Sequence, residues 1–110
     1  LNQFIDSELQ NNKKIFVYGA STKGNTILQY FGINNSKIPF AADRSPEKWG
    51  KYTVGTGIKI ISEEEARDLK PDYFLVLPWS FLDNFLVREQ DWIKSGGKFI
   101  VPFPDMRIVP

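Results

Sequence analysis

The sequence contains no cysteine and no histidine among its 110 residues. The absence of cysteine excludes a disulfide framework, a thiolate nucleophile and a zinc site built on cysteine. The absence of histidine removes the side chain used most often as a general base and as a metal ligand. Any chemistry carried by this chain alone would therefore rest on carboxylates, lysine, tyrosine or hydroxyl side chains.

Strong net charge and long apolar runs are also absent. The formal net charge is +1, which provides no field that would attract nucleic acid or an anionic membrane. No apolar run approaches the roughly 20 residues that span a bilayer, and the spaced apolar residues near the N-terminus are unlike a signal peptide. We therefore expect a cytoplasmic protein without nucleic-acid or membrane partners.

Aromatic residues, in contrast, are abundant at 15% of the chain. Large rings bury much apolar area and are also common at interfaces. The excess therefore fits a well-filled core, and it also fits a packing or oligomerisation module, including a homodimer. A length of 110 residues is typical of one domain whose core needs no metal or disulfide.

Apolar runs typical of buried strands alternate with helical patterns along the chain. The predicted strands cover residues 14–18, 37–42, 58–61, 72–77 and 98–101. The predicted helices of the main domain cover residues 25–31, 62–70 and 81–94. This alternation predicts an α/β fold, a Rossmann-like three-layer α/β/α sandwich with a mainly parallel sheet. Residues 1–12 are predicted to form an N-terminal helix, the tail of a linker from an upstream domain, and residues 13–110 the Rossmann-like domain.

The turn after the first predicted strand, YGASTKGNT, combines glycines, hydroxyls, a lysine and an amide. In such a sheet its N–H groups lie at the carboxyl edge, where the next helix begins and adds partial positive charge. A phosphate or diphosphate site and a plain turn in which Ser21 or Thr22 caps the helix fit equally well. Ser21 also replaces the middle glycine of the dinucleotide fingerprint. The candidate phosphate-side residues are Gly19, Ser21, Thr22, Lys23, Gly24 and Asn25.

Two further segments end strands at the same predicted edge. Asp43 lies at the distance from the glycine turn at which dinucleotide-binding folds place an acid for ribose hydroxyls, although an aspartate also commonly begins a turn. Pro78 interrupts its strand and directs Trp79 and Ser80 towards the ligand-binding edge, although core packing of Trp79 is an equal alternative. We find no nucleophile with an adjacent base and no metal-ligand cluster, so the residues indicate a binding module.

Several short motifs occur in an order that resembles one family. They are KGNT, DRSP followed by KWGKY, GTGIKI, KPDYFLVLPW and GGKFIVPFP. Together they resemble the C-terminal domain of S-adenosylmethionine-dependent C-methyltransferases of the deoxysugar type, from about Lys14 to Ile108.

The resemblance implies a larger parent protein. Its upstream zinc-binding and methyltransferase domains would hold the zinc and the S-adenosylmethionine (SAM), and the methyltransferase domain would be the partner of this chain. The C-terminal domain would help to form the cleft for a nucleotide-linked sugar, without binding SAM and without catalysing transfer alone. By the shared motifs, the phosphate-side turn would comprise Gly19, Lys23, Gly24, Asn25 and Thr26, and the cleft edge Pro78 and Trp79. The alternatives are a stand-alone nucleotide- or NAD-binding module and a packing domain.

Overall fold

The computed structural model describes residues 1–77, 79–102 and 105–110. Helices and strands alternate over most of this length. The helices are α1 (Asn2–Gln10), α2 (Thr22–Tyr30), α3 (Glu63–Asp68), α4 (Leu82–Arg88) and α5 (Gln90–Lys94). The strands are β1 (Ile15–Tyr18), β2 (Phe40–Asp43), β3 (Lys59–Ser62), β4 (Tyr73–Val76), β5 (Lys98–Val101) and β6 (Arg107–Val109).

The described strands form one six-stranded sheet in the order β3-β2-β1-β4-β5-β6. The first five strands are parallel, and β6 pairs antiparallel with β5. This mostly parallel sheet with helices confirms the predicted α/β sandwich. Because the chain begins in the middle of the sheet and builds outwards first to one side and then to the other, its order reverses between β1 and β4. Ligands of open α/β sheets bind at the carboxyl ends of the strands beside such a reversal.

The two faces of the sheet bury different kinds of side chain. Along β1, Ile15 and Val17 join an aliphatic cluster, whereas Phe16 and Tyr18 join an aromatic one, as the two-residue period of a strand requires. The aromatic cluster also contains residues from β4, β5 and α5, among them Phe74, Phe99 and Trp92. All four strand positions of β1 are buried, which explains its continuous apolar run.

Element bounds differ from the sequence prediction in several places, among them β2, which begins at Phe40 and not at residue 37. The predicted helix at 81–94 is divided at Glu89, whose backbone (φ −104°, ψ 24°) separates α4 from α5. Helix α2 begins at Thr22, three residues earlier than predicted, because Ser21 caps it. Strand β6 was not predicted, because three residues are too few to show the alternation of apolar and polar residues that identifies a strand.

Helix α1 packs on the body of the domain. Ile5 is fully buried in the aliphatic cluster, and the side-chain amide of Asn2 donates to the carbonyl oxygen of Phe31 at 2.9 Å. The division of the chain at residue 12 remains a prediction. None of the helices in the described ranges has the length and apolarity needed to cross a membrane.

Candidate functional site

The turn between β1 and α2 is fastened to the end of β2. Gly19 has a φ of +94°, a left-handed conformation that glycine adopts without strain. Its N–H donates to the carbonyl oxygen of Ala42 at 2.7 Å, and the N–H of Ala20 donates to Oδ2 of Asp43 at 2.9 Å. Two amides of the candidate phosphate turn are therefore already bonded to the protein.

The start of α2 combines a capped amide with amides that have no acceptor within the helix. Oγ of Ser21 accepts a hydrogen bond from the N–H of Gly24 at 3.0 Å, the capping contact that was one of the two sequence interpretations. The N–H groups of Thr22 and Lys23 belong to the first helical turn and have no intrahelical acceptor. A Cβ on Gly24 would lie 2.9 Å from Cδ1 of Leu77, so a glycine here brings the start of α2 close to the end of β4.

A groove of about 380 Å³ opens beside this helix start, at the point where the sheet order reverses. We call it the Lys23 groove. The ammonium group of Lys23 lies 5.7 Å from the centroid of the Trp79 ring, within the range of a cation–π contact. Five residues predicted from sequence thus come together, while Pro78 lies outside the described residues. The lining residues are Ser21, Lys23, Gly24, Leu77, Trp79, Ser80 and Phe81.

Asn25 and Thr26 face other parts of the protein. The amide nitrogen of Asn25 donates to the carbonyl oxygen of Val54 at 2.6 Å, and its amide oxygen accepts from Oγ1 of Thr56 at 2.6 Å. Oγ1 of Thr26 donates to the carbonyl oxygen of Thr22. The described lining of the Lys23 groove includes neither residue, and their contact with phosphate remains a prediction.

The carboxylate of Asp43 is held by its surroundings. Besides Ala20, the N–H of Ser45 donates to its Oδ1 at 2.9 Å, which is the turn geometry expected of an aspartate at this position. Burial raises the pKa of Asp43, but the hydrogen bonds from Ser45 and Ala20 and the nearby ammonium of Lys48 outweigh it and lower the pKa overall. Asp43 is therefore an ionised acceptor, and its contact with ribose stays a prediction.

A second groove of about 320 Å³ lies on the other side of Phe81. We call it the Arg88 groove. It shares Phe81 with the Lys23 groove and reaches the ends of β1 and β2 through Gly19 and Asp43. Sequence reasoning assigned no ligand role to Glu63, Asn84 or Arg88. Only Glu63 had a usable signal, because it begins α3 directly after β3 and such helix starts lie at the carboxyl edge. Asn84 and Arg88 lie further along α4, with Arg88 as its last residue. The lining residues are Tyr18, Gly19, Asp43, Arg44, Glu63, Phe81, Asn84, Phe85 and Arg88.

A network of charged side chains forms the wall of the Arg88 groove. Nη2 of Arg88 donates to Oε2 of Glu63 at 2.8 Å and to the hydroxyl of Tyr18 at 3.0 Å. That hydroxyl donates to Oε2 of Glu89 at 2.7 Å. Arg67 adds two hydrogen bonds to the same carboxylate, at 2.6 and 2.7 Å. The network joins β1, α3 and α4 beneath the groove.

The pKa values in this network follow from burial and pairing. Glu89 is only 1% exposed, and burial raises its pKa, but the hydrogen bonds from Arg67 and Tyr18 outweigh this and lower the pKa overall. Burial and the neighbouring Glu89 raise the pKa of the Tyr18 hydroxyl far above its ordinary value. Glu89 is therefore charged and Tyr18 neutral near pH 7. Within the part of the chain that the structure describes, no group of three or more acids could hold a metal ion.

A mostly parallel sheet with two grooves at its reversal point defines a Rossmann-like α/β domain. The family model described as "C-methyltransferase C-terminal domain" matches residues 1–104, and the chain belongs to that family. It is 33% identical over 109 residues to the C-methyltransferase NovU of Streptomyces niveus, a match that covers 99% of this chain and 26% of NovU. The chain thus spans about a quarter of that relative's length. Both findings confirm the resemblance to the C-terminal domain of C-methyltransferases.

Proposed function

We propose that this chain is the substrate-side domain of a SAM-dependent C-methyltransferase and that its Lys23 groove holds the diphosphate of a nucleotide-linked sugar. The proposal is supported by membership in the C-methyltransferase C-terminal family and by a C-methyltransferase relative of about four times its length. Two upstream domains of the same protein, in the cytoplasm, would hold the zinc and the SAM.

The observation that carries the proposal is the meeting of three kinds of donor at the Lys23 groove. The first-turn N–H groups of α2 belong to the positive end of its dipole. The ammonium of Lys23 adds a full charge, and the hydroxyl of Ser80 adds a polar contact to the groove lining. A diphosphate carries acceptor oxygens and charge that match this set. The Trp79 ring beside Lys23 provides a flat surface for a base or for the partner domain.

Binding experiments test the proposal directly. We expect the chain to bind UDP or dTDP in titration calorimetry, with Lys23→Ala weakening the affinity by roughly tenfold or more, as for a lost charge-assisted hydrogen bond. Lys98→Ala, an exposed lysine at the amino end of β5, is the matched control and should leave the affinity unchanged. Micromolar binding of SAM to this chain, or equal loss in both variants, would contradict the proposal.

A second candidate function is a stand-alone domain for NAD or a nucleotide, which the position of Asp43 at the end of β2 favours. Both carboxylate oxygens of Asp43 already accept backbone hydrogen bonds, which leaves fewer acceptor sites for ribose. Adding NAD and NADP to the same titrations separates the two functions. Tighter binding of NAD than of any nucleoside diphosphate or sugar nucleotide would favour the stand-alone domain.

A further inference from the structure

We infer that the Arg88 groove is the subsite for the sugar ring of the acceptor, with Phe81 as its stacking surface and Asn84 as a direct polar contact. This inference rests on the proposed function, because it assumes that a sugar is attached to a diphosphate held in the Lys23 groove. It assigns ligand-binding roles to residues for which the sequence indicated none.

The side chains that line the Arg88 groove include equal numbers of acidic and basic groups. Asp43 and Glu63 supply carboxylates, Arg44 and Arg88 supply guanidinium groups, and Asn84 supplies an amide. A groove with equal numbers of acids and bases does not select a second anion. It offers donors and acceptors side by side, which suits hydroxyl groups, because each hydroxyl can both donate and accept. A neutral polyhydroxyl ring is therefore the ligand class that this lining fits best.

Phe81 gives the groove an apolar surface. Its side chain is 56% exposed although its neighbour Phe85, with a ring centroid 6.5 Å away, is buried. The C–H face of a pyranose is apolar while its hydroxyls point outwards, so an exposed aromatic ring flanked by polar side chains matches both parts of a sugar. Removing this exposed apolar surface from water adds to affinity.

Two of the polar groups are positioned before any ligand arrives. Glu63 and Arg88 bond to each other, and Arg88 is fixed from below by the hydroxyl of Tyr18. Tyr18 is in turn fixed by the buried Glu89. Binding groups that are already ordered lose little side-chain entropy when they contact a ligand. Glu63 and Arg88 are thus both contacts and parts of a rigid wall.

The size and place of the groove agree with a single ring. Its volume of about 320 Å³ is at the small end of ligand pockets, which begin near roughly 300 Å³. It adjoins the Lys23 groove across one side chain, Phe81. A diphosphate on one side and its attached sugar on the other would therefore span the two grooves without a long linker.

The experiment compares each nucleoside diphosphate with its sugar conjugate by calorimetry, using UDP with UDP-glucose and dTDP with dTDP-glucose. We expect the sugar to increase the affinity of the unmodified chain. Asn84→Ala should reduce that increase by roughly threefold to tenfold, as for one lost hydrogen bond, and leave the affinity for the diphosphate alone unchanged. Lys23→Ala is the matched control and should weaken the diphosphate and its conjugate equally.

Three outcomes are decisive. Diphosphate binding without any gain from the sugar, or an Asn84→Ala variant that retains the whole gain, overturns the sugar subsite and leaves the proposed function standing. Absence of diphosphate binding in a chain that still unfolds cooperatively overturns both. As an independent readout, the side-chain amide NMR signal of Asn84 should shift with the sugar nucleotide and not with the diphosphate. Asn84 is exposed, so its truncation should leave the melting temperature unchanged.

Discussion

The hydroxyl of Tyr18 donates a hydrogen bond of 2.7 Å to the buried carboxylate of Glu89, 71 residues further along the chain. The contact joins the carboxyl end of β1, where the glycine turn begins, to the joint between α4 and α5. Arg67 approaches the same carboxylate from α3. Three elements that contribute to the Arg88 groove therefore meet at one acidic side chain, so the stability of the fold and the shape of the groove are linked.

Replacement of Glu89 by glutamine should destabilise the protein more than is usual for a substitution that keeps the side-chain volume. Glutamine keeps the volume but removes the charge that pairs with Arg67, and breaking a buried pair costs more than its formation contributes. We expect a loss of about 2 kcal/mol in the free energy of unfolding, since Arg67 is partly exposed and can regain water. Urea denaturation of the variant and of the unmodified protein measures this difference in the free energy of unfolding.

Tyr18→Phe is the matched control for Glu89→Gln. It removes the hydrogen bond to Glu89 and the acceptor that Arg88 uses, while Arg88 keeps its bond to Glu63 and both bonds from Arg67 to Glu89 remain, so about 1 kcal/mol should be lost. A larger loss for Tyr18→Phe than for Glu89→Gln would show that the hydroxyl, and not the charge, organises the network.

The stability of the protein should fall in acid partly through Glu89. Its pKa in the folded protein is lowered from the ordinary 4.5, so the unfolded chain takes up a proton first as the pH falls. The stabilisation is therefore complete above about pH 4.5 and is lost as the pH falls towards the lower, folded pKa. Urea midpoints measured from pH 7 to pH 3 should decline less steeply in Glu89→Gln than in the unmodified protein. Parallel declines would contradict this assignment.

Much of the fold follows from local sequence pattern. The buried strands are continuous apolar runs, and Ser62 caps α3 through the N–H of Glu65, as the spacing of these two residues predicts. The break at Glu89 could not be predicted, because it accompanies a buried carboxylate whose partners, Tyr18 and Arg67, are distant in sequence. Strand β6 depends on pairing with β5, which no local pattern reveals.

The candidate site divides in the same way. The glycine turn and Trp79 could be predicted because each lies within a few residues of the carboxyl end of a strand, and strand ends share one edge of a parallel sheet. Asn84 and Arg88 could not be predicted as site residues. They lie within a helix, and the rotation of that helix about its axis decides which residues face the groove. The amide of Asn25 hydrogen-bonds to Val54 and Thr56. These tertiary contacts cannot be inferred from the spacing of residues in the sequence.

Gly97 should tolerate no side chain. A Cβ built on it would overlap the indole ring of Trp92, which is buried and fixed by a hydrogen bond from its Nε1 to the carbonyl oxygen of Pro71 at 2.9 Å. Gly97→Ala should therefore cost about 2 to 3 kcal/mol through overpacking. Gly32→Ala is a useful comparison, since Gly32 has open space but a φ of +70°, and should cost about 1 kcal/mol. Thermal unfolding that ranks the two variants in the opposite order would contradict the steric explanation.

Asn25→Ala should separate a structural role of Asn25 from contact with phosphate. The two hydrogen bonds of its amide, both 2.6 Å, connect α2 to the loop at Val54 and Thr56. Their loss should raise amide hydrogen exchange in residues 53–57 by roughly tenfold, the effect of about 1.4 kcal/mol in local opening. If Asn25 acts only through this loop, the affinity for a nucleoside diphosphate should stay unchanged in Asn25→Ala while it falls in Lys23→Ala. Thr26→Ala, which loses a single hydrogen bond within α2, should affect neither measurement. A fall in diphosphate affinity in Asn25→Ala with unchanged exchange in the loop would instead show that its amide reaches the ligand, as the shared family motif implies.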